Sequence, residues 1–103
     1  MIQNIVKMAA CICAQDGIIS QTELDYMYEN LSRFDISLKK DEFDRVIEDY
    51  FCEEKSIKEY CLQINDVDRD ILLKFCLDSA SSDGLEPEEN KAYLQAERIL
   101  NES

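Results

Sequence analysis

A chain of 103 residues with two glycines, one proline, 46% hydrophobic and 33% charged residues has too few turn residues for a sandwich or barrel and too much apolar content for a disordered tail. Its 23 acidic residues against 11 basic ones give a net charge of -12, which excludes direct nucleic-acid binding and sets the chain against an anionic membrane surface. The expectation is one all-α domain over residues 1–103, whose partners are cations, basic protein surfaces or hydrophobic grooves.

Ile2, Ile5, Val6, Ala9, Ile12 and Cys13 repeat at helical spacing and predict a first helix running to about Ala14. Its second half, Met8 to Ala14, is apolar all round, the mark of a central, buried helix. Asp16-Gly17 ends it, and Ser20-Gln21-Thr22-Glu23 is a capping box opening a second helix with Leu24, Met27, Tyr28 and Leu31 inside. Ser37 or Asp41 opens a third helix, with Phe43, Val46, Ile47, Tyr50 and Phe51 as its inner stripe. Ile57, Tyr60, Cys61 and Ile64 predict a short fourth helix closed near Asn65. Asp66 or Asp68 caps a fifth, which carries Ile71, Leu72, Leu73, Phe75, Cys76, Leu77 and Ala80 and belongs in the centre. After Ser81-Ser82-Asp83-Gly84, Pro87 and its neighbouring acids start a sixth helix with Ala92, Tyr93, Ala96, Ile99 and Leu100 inward. The sum is six helices, or seven if one is split, in a compact bundle.

Two segments share one plan. Met8 to Glu23 and Phe75 to Asn90 each run through a buried helix, an Asp-Gly turn, an apolar residue, a cap and an acid-started amphipathic helix. The pair predicts two helical hairpins related by a pseudo-twofold, with the buried helices packed together and the two turns in comparable places.

The Asp16-Gly17-Ile18-Ile19-Ser20-Gln21-Thr22-Glu23 turn after an Ala-rich helix, with Ser81-Ser82-Asp83-Gly84-Leu85-Glu86-Pro87-Glu88-Glu89 later, resembles the TerB-like family. That family includes TerB tellurite-resistance proteins and the membrane-proximal domain of DjlA-type co-chaperones. The resemblance implies a compact helical fold, a role in bacterial stress or chemical defence through larger assemblies, and turn acids that bind a metal ion. Carried over, the metal positions are Asp16, Glu23, Asp83 and Glu89, with calcium or magnesium as the ion. Asn90 departs from the pattern, because it stands seven residues after Asp83 where an acid is expected.

The residues themselves allow a simpler reading, in which Asp16 and Asp83 cap turns while Glu23 and Glu89 stabilise helix N-termini. Neither segment is a calcium EF-hand loop: the first and third loop positions would be Ile12 and Ala14 in one, Ser79 and Ser81 in the other. On the third helix, Asp41, Asp44 and Glu48 follow helical spacing along one side, as a solvated face or as a strip that docks a basic protein partner.

Five cysteines at no framework spacing read as reduced core thiols, with Cys11 and Cys13 as an incomplete soft-metal or redox pair. The chain has no histidine, no nucleophile elbow and no phosphate loop, so catalysis is not expected. Without a basic leader or a long apolar run, a cytoplasmic location is expected, with no membrane insertion. Three functions follow: a non-enzymatic module docking a partner protein through acidic surfaces, a divalent-cation-binding or sensing domain built on the two turns, or an acidic inhibitor, phage-encoded in one version, of a nucleic-acid-binding protein.

Overall fold

A computed structural model describes residues 2–35, 37–65 and 67–102. Six α-helices follow one another: α1 (Ile2–Cys13), α2 (Gln21–Glu29), α3 (Lys40–Cys52), α4 (Ile57–Leu62), α5 (Arg69–Ser81) and α6 (Pro87–Glu102). One turn of 3-10 helix, Leu31–Phe34, follows α2, and no strand occurs among the described residues. The bundle is all-α, as the low count of turn residues implies.

Helix α1 is the axis. Ile5, Val6 and every residue from Met8 to Cys13 are buried, and α1 packs against α2, α3, α4, α5 and α6. A helix apolar on all sides is stable only when wrapped on all sides, so its sequence dictates its central place. Helix α5 is the second buried arm, closing Leu72, Leu73, Phe75, Cys76 and Ala80 against α1, α2 and α6. One core draws on all six helices, with Phe43 and Tyr60 fully buried and Phe34 set edge-on to Phe75 at 5.3 Å.

Lys7 is the one charge on the wall of α1, and it lies half-buried against the start of the α3–α4 link. Its Nζ donates to Glu53 at 2.6 Å, and the Tyr60 hydroxyl donates to the other Glu53 oxygen at 2.9 Å. The lysine lowers the Glu53 pKa by holding its carboxylate charged.

Helix starts follow local hydrogen bonding. Ser20 and Ser56 each form a reciprocal capping box with the glutamate three residues on, and Asp68 accepts from the amides of Asp70 and Ile71. The alternative cap, Asp66, lies outside the described residues.

Three expectations are corrected. Neither Ser37 nor Asp41 opens α3: Lys39 is the flanking residue and Glu42 reaches back to its amide at 3.3 Å, so the cap bond comes from inside the helix. Helix α4 ends at Leu62, where the Gln63 and Ile64 amides turn back to Tyr60 and Cys61, short of Asn65. Phe51 does not face inward but is 51% exposed, because the inner stripe of α3 closes with Val46, Ile47 and half-buried Tyr50 and the next residue swings out. No helix among the described residues is long and apolar enough to cross a membrane.

Phe75 sits where α5 meets the 3-10 turn, fully buried. Phe75→Ala should therefore cost about 3–5 kcal/mol, the range for deleting a buried aromatic ring. Urea unfolding followed by circular dichroism measures it, and a loss below about 1 kcal/mol would contradict this packing.

Candidate functional site

The two Asp-Gly turns are built alike from the backbone up. In the first, the Gly17 amide donates to Ala14 at 2.9 Å, and the glycine takes φ +88°, a conformation that disfavours side chains. In the second, the Gly84 amide donates to Ser81 at 3.1 Å with φ +104°. The Asp16 carboxylate accepts from the Ile18 amide at 3.1 Å, so this aspartate holds its own turn.

Each turn leads to a helix whose third residue is a glutamate bonded back to the cap. Glu23 accepts from the Ser20 amide at 3.0 Å, and Glu89 accepts from the Glu86 amide at 3.0 Å. Counting from the caps, Glu89 is the counterpart of Glu23. The segment between glycine and cap is Ile18-Ile19 in the first turn and Leu85 alone in the second. That missing residue is why Asn90, and not an acid, falls seven positions after Asp83. Counting from the aspartates hides the match, and counting from the helix starts reveals it.

The structure brings the two glutamates together. Both side chains are buried, with Glu23 4% and Glu89 7% exposed, and the two carboxyl groups lie within hydrogen-bonding reach of each other. Two carboxyls can share a hydrogen bond only if one carries the proton. Burial, opposed by the Ser20 amide and then reinforced by Glu89 and by the charge of Asp83, pushes the Glu23 pKa up to about 7. Cys13, at the end of α1, faces the same group; burial first, then Glu23, Cys76, Glu89 and Asp83, holds its thiol far above the usual range. None of the ion pairs among the described residues supplies a cation to either glutamate.

Of the four turn acids, then, Glu23 and Glu89 meet and Asp83 lies within electrostatic reach, while Asp16 is engaged with its own turn. As a donor set for calcium or magnesium this falls short. The two carboxyls each spend an oxygen on a backbone amide, and among the described residues no three of His, Cys, Asp and Glu form a group able to hold a metal. Cys11 and Cys13 are both buried with raised pKa values, so neither is held as a metal-ready thiolate.

The acids of α3 are disposed otherwise. Asp41, Asp44 and Glu48 are all exposed. Asp44 is held by Lys40 at 2.9 Å, and Asp41 accepts from the neighbouring Glu42 amide. Two exposed apolar residues that composition alone does not single out, Ile18 (69% exposed) and Leu85, follow the two Asp-Gly pairs. The repeat itself could have found them, since each sits one step past a turn glycine.

Comparison with protein-family models, with curated proteins and with solved structures returns no match to this chain.

The glutamate pair makes stability fall with rising pH. Glu23 binds its proton more tightly when folded than when unfolded, so its contribution is whole at acid pH and is lost as pH rises through about 7. A melting curve series from pH 5.5 to pH 8 should lose up to about 2 kcal/mol from this source. Glu23→Gln keeps an oxygen for the Ser20 amide and offers Glu89 a permanent donor, so its profile should be flat across that window. An equal decline in the variant would show that the pair does not carry the effect.

Proposed function

We propose that this chain is a non-enzymatic, TerB-like binding module that docks a basic protein partner through its acidic surface. The bacterial stress or defence setting rests on the resemblance of the two Asp-Gly turns. The observation that carries the docking reading is the outward strip of α3, where Asp41, Asp44 and Glu48 outnumber the one exposed cation among them, Arg45, on a helix held down by Phe43, Val46 and Ile47 on its other side. A rigid helix presenting acids at fixed spacing offers orientation as well as attraction, and charge of this kind speeds encounter with a cationic surface.

Replacing Asp41, Asp44 and Glu48 together by lysine tests the reading. Binding to a fluorescent, Lys-rich amphipathic peptide, followed by anisotropy, should be salt-sensitive in the parent chain and at least about tenfold weaker in the variant. Circular dichroism should be unchanged, since all three side chains are exposed. Equal affinity in the two proteins would remove α3 as the docking surface.

A divalent-cation site at the turns is the second reading, favoured by the convergence of Glu23, Glu89 and Asp83 and weakened by the incomplete donor set. Thermal melts with calcium, magnesium, manganese and zinc beside a chelator control decide it. The protonated pair predicts a flat response; saturable stabilisation by one ion, abolished by Glu23→Gln, would establish the cation site instead.

A further inference from the structure

The face of the molecule made by α4 and α6 gathers three cations, Lys58, Lys91 and Arg98, beside two exposed leucines. Between these helices lies a shallow groove of about 400 Å³ lined in part by Lys58, Leu62, Arg98 and Ile99. A hollow of about 500 Å³ adjoins it along α6, sharing Gln95 and Arg98 and adding Lys91 and Leu94. Leu62 and Leu94 are 62% and 51% exposed. The ion pairs among the described residues engage Lys7, Arg33, Lys40 and Lys74 but not Lys58, Lys91 or Arg98. Two acids also line this face, Glu97 and Glu102, and the first of them hydrogen-bonds to Tyr93. The result is a cationic, partly apolar trough on a strongly acidic chain.

The α3 strip is its complement. Lys91 and Arg98 are seven residues apart on α6, and Asp41 and Glu48 are seven apart on α3. Seven residues are two helical turns, about 10.5 Å of rise on either helix, so with the helices parallel and side by side Asp41 can pair with Lys91 while Glu48 pairs with Arg98. Phe51 lies one turn past Glu48 and is half exposed, giving Leu62 and Leu94 an apolar group to cover them. Helix α3 cannot reach the groove of its own chain, because Phe43, Val46 and Ile47 fix it to the core with the acids outward.

We propose that the α4–α6 trough is a docking surface for the α3 strip of a second copy of this chain, giving a head-to-tail self-association. The proposal rests on the reading of α3 as a docking strip and names its partner. A contact between two different patches of one chain propagates from copy to copy wherever the rotation between copies does not close it into a dimer or ring. Because each copy carries a charge of -12, association is strongest where salt has screened the overall repulsion but not the contact pairs, near 0.15 M, at a Debye length of about 8 Å.

Sedimentation of the full chain at about 0.15 M salt, from low micromolar to millimolar protein, is the test. The weight-average mass should climb with concentration to that of a dimer or beyond. Arg98→Glu and Glu48→Lys, both at exposed positions, should each remain monomeric alone, and an equimolar mixture of the two should associate again, since each supplies what the other lacks. A parent chain that stays monomeric throughout would overturn the proposal, as would an Arg98→Glu variant that associates like the parent or a mixture that does not recover. A monomeric parent whose α3 lysine variant still loses the basic peptide would leave the docking reading standing and remove only the self-association. If the lysine variant binds the peptide undiminished and the parent is monomeric, both fall.

Discussion

The fold depends on keeping α1 dry on every side. Ala9 and Ala10 let neighbouring helices approach closely, while Ile5, Met8 and Ile12 fill the gaps between them, all without measurable exposure. Five helices are needed to cover so short a rod, and each is held by its own apolar stripe rather than by length. Even α4, too short to persist alone, is placed by Ile57, Tyr60 and Cys61 and started by its Ser56 box. The half-buried Lys7 fits this arrangement because Glu53 and Tyr60 close over it, which ties the link between α3 and α4 to the axis.

Packing α1 against α5 has a chemical consequence at their ends. Each buried arm runs into an Asp-Gly turn, and each turn starts a helix with a glutamate in the box position. Capping favours a carboxylate beside the exposed amides of a helix N-terminus. Packing two such ends together buries both carboxylates, and two negative charges without a cation would repel strongly in that setting. A proton held on Glu23 eases both demands: the caps keep their oxygens, and the repulsion between the two carboxyl groups falls. The cost is sensitivity to pH near neutrality, a range in which an ordinary glutamate does not titrate.

Much of this was legible in the chain. The apolar circumference of Met8 to Ala14 placed α1 at the centre, and the repeated plan of the two segments packed their two buried helices, α1 and α5, together. Periodicity was less informative at helix edges. Phe51 reads as core because it follows Tyr50 in an apolar run, yet the stripe of α3 is centred on Phe43, Val46, Ile47 and Tyr50, and Phe51 lies a further step round the helix toward solvent. The start of α3 escaped notice because Lys39 is not a capping residue type and the bond comes from Glu42. The meeting of Glu23 with Glu89 was obscured by the one-residue difference between the turns. Nothing in sequence spacing reports that two glutamates 66 positions apart are buried within reach of one another; only the packing of the two arms does.

The two acidic regions consequently do different work. At the turns, acids are buried, coupled to one another and spent on holding helix starts. Along α3 they are solvated, and their mutual repulsion is tolerated because water screens it. The cations of α4 and α6 stand apart from both. In a chain with twice as many acids as bases, a surface lysine or arginine has carboxylates within reach on most faces, and Lys40 and Lys74 each take one a single helical turn away. Lys58, Lys91 and Arg98 are in none of the ion pairs among the described residues, nor are Lys39, Arg45, Lys55 and Arg69, and the lost stability is small, because exposed ion pairs contribute at most about 1 kcal/mol. Leu62 and Leu94 beside them also gain nothing for the isolated chain by facing water. Folding therefore does not explain why exposed leucines and unpaired cations share one face, whereas contact with an acidic helix would make both favourable together.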